Sequence, residues 1–201
     1  MSRTERPLAG GAEDDAEDVR LMQSVANGDT QAFERLIERH QTLVLGTVAR
    51  MLGSNSDVED LAQQVFLRVW RNAGRYVPRA KFTTWLLKIT RNLVFNEMRR
   101  TKRHSHIPIQ TETPGEELPM KDESVRSPAE SLLEHELQRA IEEAIIELPE
   151  TQRMALVLRR YEGRSYEEIG EILDLSVPAV KSVLFRARTE LRVRLASYLK
   201  G

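Results

Sequence analysis

The chain has 201 residues, of which 40% are hydrophobic, 30% charged and only 5% aromatic, so its core must be aliphatic and its surface charged, a balance that favours helices. Lys and Arg number 30 against 31 Asp and Glu, a net charge of -1, so an affinity for nucleic acid or membrane has to come from where charges sit, not from their sum. The absence of cysteine excludes disulfides, thiolate zinc sites and a thiol nucleophile, and fits a reducing compartment.

Residues 1–17, acidic through Glu13, Asp14, Asp15 and Glu17 and poor in apolar groups, read as a disordered extension with no secretory signal. No segment approaches the apolar run of about 18 residues that a membrane span needs. From Asp18 onward the pattern is helical. Thr30 can cap a helix whose apolar positions Phe33, Leu36, Ile37, Leu43, Val44, Val48, Met51 and Leu52 keep a helical period, with His40 on the same buried stripe and Gly53 as its end. Ser56 and Glu59 read as a capping box before a helix that buries Val58, Leu61, Ala62, Val65 and Val69. After the break at Gly74 and Pro78, a helix from Thr83 or Thr84 buries Phe82, Trp85, Leu86, Ile89 and Leu93. These helices make one small domain, 18–106.

Residues 107–127 read as a linker. Between Ile107 and Glu136 lie four of the eight prolines, with eight acids against two bases. A second helical domain, 128–201, opens at Ser127-Pro128-Ala129-Glu130, a capping box with proline at the first helical position. Its first helix carries the stripe Leu133, Leu137, Ala140, Ile141, Ala144, Ile145 and Leu148; a second runs from Glu150 to Tyr161 and is closed by Gly163. Ser165 and Glu168 box a short helix, Asp174-Leu175 turns the chain, and Ser176 caps a final helix. Short helix, tight turn and capped helix are the signature of a helix-turn-helix. The fold class is therefore all-α, two small helical domains joined by an acidic, proline-containing linker.

Three surfaces stand out. The last helix carries Lys181, Arg186, Arg188, Arg192 and Arg194 against Glu190, and Lys181, Ser182, Phe185 and Arg186 occupy the N-terminal positions that reach base edges in a major groove. A second basic cluster combines Lys88, Arg91, Arg99, Arg100, Lys102 and Arg103 with Asn92, Asn96 and Phe95, a mixture suited to unstacked bases. Tyr76, in a loop with Arg75 and Arg79, is its stacking candidate, whereas Phe82 and Trp85 read as core. The third is the polar face Asp60, Gln63, Gln64, Leu67 and Arg71, which is either solvated or a docking face for a partner helix. Catalytic constellations are poor: the histidines are scattered, His104 and His106 lack a carboxylate at ligand spacing, and there is no phosphate loop or nucleophile motif. Neither an enzyme nor a bound metal or cofactor is expected.

Read together, residues 18–200 resemble the extracytoplasmic-function (ECF, group 4) sigma factors of the sigma-70 family. The resemblance rests on Gly28-Asp29 with Ala32-Phe33 and His40; on Asp57-Val58-Glu59-Asp60-Leu61-Ala62-Gln63-Gln64-Val65-Phe66; on Phe82-Thr83-Thr84-Trp85-Leu86 through Ile89 to Asn92; and on Leu148-Pro149, Tyr166-Glu167-Glu168-Ile169 and Val180-Lys181-Ser182 to Phe185-Arg186-Ala187-Arg188. It implies a sigma region 2 helical bundle whose Asp60, Gln63 and Gln64, with Leu67 on the same face, dock on the clamp of the largest subunit of core RNA polymerase. It also implies a minus-10 surface of Arg75, Tyr76, Lys88, Arg91, Asn92, Asn96, Arg99 and Arg100, with Asn92 lining a pocket for a flipped base. The second domain is similar to sigma region 4, reading minus-35 duplex through Lys181, Ser182, Phe185, Arg186 and Arg188 and docking on the polymerase flap. Val183 stands where many members have arginine, and Asp174 where glycine is common in such turns. The implied partners are bacterial core polymerase, promoter DNA and an anti-sigma factor, in the cytoplasm, with no small-molecule substrate, no cofactor and no insertion into a membrane. The competing reading is an autonomous helix-turn-helix regulator that binds operator DNA without polymerase. An RNA- or single-strand-binding module, the other alternative, leaves the C-terminal motif unexplained.

Overall fold

A computed structural model of the chain describes residues 11–53, 57–104, 128–196 and 198, and the side chains of 13–53, 57–103, 136–196 and 198. The proposed Ser56 and Ser127 caps, the linker 107–127, His106 and His135 lie outside these descriptions. Among the described residues every regular element is helical. In chain order they are α1 (Gly11–Ala26), α2 (Thr30–Leu52), α3 (Val58–Asn72), a single 3-10 turn (Ala73–Arg75), α4 (Phe82–His104), α5 (Pro128–Ile146), α6 (Glu150–Arg160), α7 (Tyr166–Leu173) and α8 (Val177–Arg194).

Residues 11–17, read from sequence as disordered, form the first turns of α1. The reason lies more than 20 positions away. Arg39 of α2 gathers Asp14, Glu17 and Asp18 at 3.2, 3.1 and 2.9 Å, while Leu21, Met22 and Val25 bury the other face of α1. Composition records few apolar residues but not a distant arginine that neutralises the acids. The second oxygen of Asp18 lies 2.9 Å from His40 Nε2, and the His40 ring packs 5.0 Å from that of Phe82. His40 is thus the satisfied core histidine that its stripe predicts.

The cap of α2 is Asp29, not Thr30: its carboxylate accepts from the Ala32 amide at 3.0 Å, and an aspartate satisfies a free helix-end amide as well as a hydroxyl does. At 23 residues, α2 is about 34 Å long and is the spine of the first half, with α1, α3 and α4 packed on it. It stops at Gly53, whose φ of 78° suits glycine. A Cβ there would also come within 2.9 Å of Ile146 Cδ1, because α5 passes over this end of α2. Helix α4 begins at Phe82, a residue or two before the predicted start.

In the second half the predicted Ser165 and Ser176 caps hold. The Ser165 hydroxyl accepts from the Glu168 amide while the Glu168 carboxylate accepts from the Ser165 amide, and Ser176 accepts from Ala179. Helices α6, α7 and α8 enclose Met154, Leu158, Ile169, Ile172, Val180 and Leu184. This second cluster is continuous with the first. Buried side chains run without a break from Leu21 in α1 to Leu184 in α8, since α6 packs on α2 and α7 lies along α4.

Candidate nucleic-acid and docking surfaces

The turn between α7 and α8 sets the geometry of the helix-turn-helix. Asp174 takes the left-handed conformation, φ 56° and ψ 45°, which aspartate tolerates better than most residues. The Leu175 amide then returns to the Gly170 carbonyl at 2.9 Å. So close is this return that a Cβ on Gly170 would sit 2.6 Å from the Leu175 carbonyl oxygen. With Val180, Leu184 and Ala187 buried, the opposite side of α8 is left outward. There Lys181, Ser182, Phe185 and Arg186 line a shallow open concavity, with Phe185 70% exposed and Arg188 exposed one turn further on. The Ser182 hydroxyl donates to the Pro178 carbonyl at 3.1 Å. Arg194 pairs with Glu190 at 3.0 Å and also with Glu147, so it belongs to the scaffold.

Helix α4 carries the second surface. Asn92, Asn96, Arg99 and Arg100 are exposed and held in a chain of side-chain contacts. Arg91 Nε donates to Asn92 Oδ1 at 3.0 Å, Arg99 Nη2 to Asn96 Oδ1 at 2.8 Å, and Arg100 is neutralised by Glu97 at 2.8 Å. Lys88 and Arg91 face the second half of the chain instead. Both pair with Asp174, at 2.6 and 2.9 Å, which leaves the Arg91 side chain only 14% exposed. Arg75 is exposed, but Tyr76 is not presented for stacking in this arrangement. Its ring meets Trp85 edge-on at 5.1 Å and Phe82 at 6.0 Å, its hydroxyl is buried without a hydrogen-bond partner, and burial pushes that phenol's pKa up.

The third surface is the outer face of α3. Leu61, Ala62, Val65, Phe66 and Val69 are buried, and Asp60, Gln63, Gln64, Leu67 and Arg71 all point to solvent, with Leu67 50% exposed. An apolar residue framed by amides and a carboxylate is a ready docking face. Elsewhere, no three His, Asp or Glu side chains among the described residues are grouped so as to hold a metal ion. No described helix is long and apolar enough to cross a membrane.

Sequence reasoning missed the residues that join the two halves. Arg153 of α6, 7% exposed, donates through Nη1 to the Met51 carbonyl at 2.5 Å and through Nη2 to the Leu148 carbonyl at 3.3 Å. Its guanidinium pKa is lowered by burial. Arg164 donates to Thr83 Oγ1 at 2.9 Å, Lys81 pairs with Glu168 at 3.1 Å, and Glu162 reaches Thr47 at 3.5 Å and Arg50 at 3.8 Å. An arginine in an otherwise apolar stretch of α6 was the only signal available beforehand.

A helical bundle with a basic, asparagine-bearing helix, followed by a helix-turn-helix with a free recognition face, defines a DNA-binding protein of transcription. The comparisons with known proteins narrow this. Residues 36–104 match the family model Sigma-70 region 2, and residues 138–191 match Sigma-70, region 4. Over 189 residues the chain is 30% identical to the RNA polymerase sigma-H factor of Pseudomonas aeruginosa, covering 92% of this chain and 96% of that one. It is 34% identical to the ECF RNA polymerase sigma-E factor of Haemophilus influenzae, covering 85% and 91%, and 32% identical to the ECF RNA polymerase sigma factor SigW of Bacillus subtilis, covering 88% and 95%. Among solved structures it is similar to CnrH in complex with the cytosolic domain of CnrY, at 27% identity and a TM-score of 0.64 over 90% of this chain and 98% of that one. The same fold occurs in the sigma factor RpoE of Bartonella quintana, solved with the anti-sigma factor NepR, at a TM-score of 0.63 over 82% and 96% of the two chains and 22% identity. The chain belongs to the sigma-70 family and is an RNA polymerase sigma factor of the ECF type. Sigma factors are initiation factors, not enzymes.

Proposed function

We propose that residues 18–106 act as region 2 and 128–201 as region 4 of a cytoplasmic initiation factor that has no catalytic step of its own, the segment 107–127 joining them. The α3 face of Asp60, Gln63, Gln64 and Leu67 docks on the clamp of core RNA polymerase, and region 4 docks on the flap. The α8 face of Lys181, Ser182, Phe185, Arg186 and Arg188 reads the minus-35 element as duplex, its base contacts each contributing about 1–3 kcal/mol of discrimination. On α4 and the loop before it, Lys88, Arg91, Asn92, Asn96, Arg99, Arg100 and Arg75 take the opened minus-10 strand, and Tyr76 joins them once its ring leaves Trp85 and Phe82. Binding a flipped base beside Asn92 offsets an unstacking cost of about a few kcal/mol per step.

The observation that carries this reading is the pair of exposed faces on one chain: an amide-and-arginine face on α4, whose chemistry suits single strands, and an outward face of α8, whose chemistry suits duplex. The structural relatives, solved as CnrH with the cytosolic domain of CnrY and as RpoE with the anti-sigma factor NepR, support an anti-sigma factor as a further partner. Promoter-dependent transcription with purified core polymerase tests the reading. Transcripts should start at discrete sites only when both proteins are present, and Asn92→Ala should impair open-complex formation while sparing core binding. Tight binding of a defined duplex by the chain alone, without binding to core, would favour the autonomous regulator.

A further inference from the structure

Asp174 is the turn residue of a helix-turn-helix, yet its carboxylate points away from the recognition face and back onto α4. One oxygen is 2.6 Å from Lys88 Nζ and the other 2.9 Å from Arg91 Nη2. An oxyanion held between a lysine and an arginine is the arrangement a backbone phosphate would make with the same two cations. Glu168 on Lys81 and Arg164 on Thr83 extend the contact along the start of α4. The covering is selective: Asn92, Asn96 and Arg99 remain exposed, as does the α8 face.

We propose that Asp174 is a phosphate surrogate that latches region 4 onto the minus-10 surface of region 2, so that the strand to be opened and the carboxylate of Asp174 compete for Lys88 and Arg91. The inference rests on the role given to these two cations above. In the latched form the minus-35 face is free while the single-strand face is partly occupied. Region 4 can then engage duplex before region 2 engages an opened strand, and a strand that takes the two cations releases the joint, because each occupant lowers the affinity of the other by the same factor.

Other groups in the joint favour release. Arg153 is buried with carbonyl oxygens as its only hydrogen-bond partners, and Glu162, facing Arg50 and Thr47, carries a carboxyl raised by burial. Buried charges without full compensation oppose closure. The ion pairs at Asp174 and Glu168, all partly exposed, therefore add to the apolar packing of α6 on α2 and α7 on α4 in holding a joint that these groups strain against.

The test uses the full chain and a short dye-labelled single-stranded oligodeoxynucleotide of mixed sequence. Asp174→Asn and Asp174→Gly both suit the left-handed turn and remove the charge. Each should bind the strand about fivefold more tightly than the parent chain at low salt, a modest gain because the pairs are partly exposed, and the gap should close as salt rises. Since the chain has no cysteine, dyes on Glu38→Cys and Arg192→Cys should report a more open joint in both variants. Glu171→Gln removes an exposed acid from α7, just before Asp174, without touching Lys88 or Arg91; it should leave binding unchanged, and an equal gain there would reduce the effect to general charge and overturn the latch. If both Asp174 variants bind no better while Lys88→Ala/Arg91→Ala loses binding, the latch is wrong and the role of the two cations stands. If that double variant binds like the parent, both fail.

Discussion

Arg153 reaches from α6 to the C-terminal end of α2 and donates to the carbonyl of Met51, one of the helix-end acceptors left without an intrahelical partner. A charged donor from one half of the chain thus completes the backbone hydrogen bonding of the other. Truncation in Arg153→Ala orphans two buried carbonyls and opens a cavity, and should cost about 2–4 kcal/mol in urea unfolding. Arg153→Met keeps the volume without the charge and should lose distinctly less. Equal losses would mean that the hydrogen bonds outweigh the burial cost.

Gly170 should not accept even one methyl group. A Cβ there meets the Leu175 carbonyl oxygen at 2.6 Å, a backbone atom that moves only if the turn moves. We expect Gly170→Ala to destabilise the chain by about 1–3 kcal/mol and to weaken duplex binding through the displaced α8. Thermal unfolding and a duplex titration check both; unchanged binding with lowered stability would localise the shift to α7.

Asp18 ties α1 to α2 through both oxygens, one on Arg39 and one on His40. Its side chain is 2% exposed. Asp18→Ala leaves the histidine without its partner in the core and should cost about 3 kcal/mol or more. Asp18→Asn keeps one acceptor and should fall between. Urea midpoints of the two variants, compared with the parent, give the order.

Closure of the two halves should depend on pH in two opposite steps. The Asp174 carboxyl is held below its ordinary value of 3.8 chiefly by the hydrogen bond from Lys88, which burial opposes and to which the hydrogen bond from Arg91 and the charges of both cations add. Its contribution is therefore complete above that value and is lost as pH falls through the lower one. Glu162 behaves in the other sense: burial raises its carboxyl above the ordinary 4.5, against the opposing effect of Arg50, Arg164 and Thr47. It favours closure fully only below 4.5, and loses that as pH rises through its shifted value. Acidification from neutral pH should first tighten the joint and then loosen it below 3.8. Energy transfer between dyes on the two halves reads this directly, and a steady loosening from neutral pH downward would remove Glu162 from the account.

Much of this architecture was legible in the sequence because it depends on neighbours along the chain. The Ser165–Glu168 box, the Ser176 cap and the apolar stripe of α2 are set by residues three or four positions apart. The α3 face of Asp60, Gln63, Gln64 and Leu67 follows from the same period. What depended on distant partners was not legible. The first turns of α1 are held by Arg39, and Tyr76 is half buried against Phe82 and Trp85 because α1 covers the 3-10 turn before it. Lys88 and Arg91 meet a carboxylate more than 80 residues away. Composition between the halves indicates how far they can reach, not which faces meet.

The carboxylate of Glu168 serves two structures at once. One oxygen closes the capping box on the Ser165 amide and the other forms an ion pair with Lys81 from the chain just before α4. Local order in the first turn of α7 is therefore linked to whether the halves are joined: when Lys81 withdraws, the cap loses a neighbouring cation and the turn frays more readily. The amide protons of that turn should therefore exchange more slowly while the joint is shut than when it is open. The helix-turn-helix thus carries, at its own entrance, a record of the state of the domain beside it.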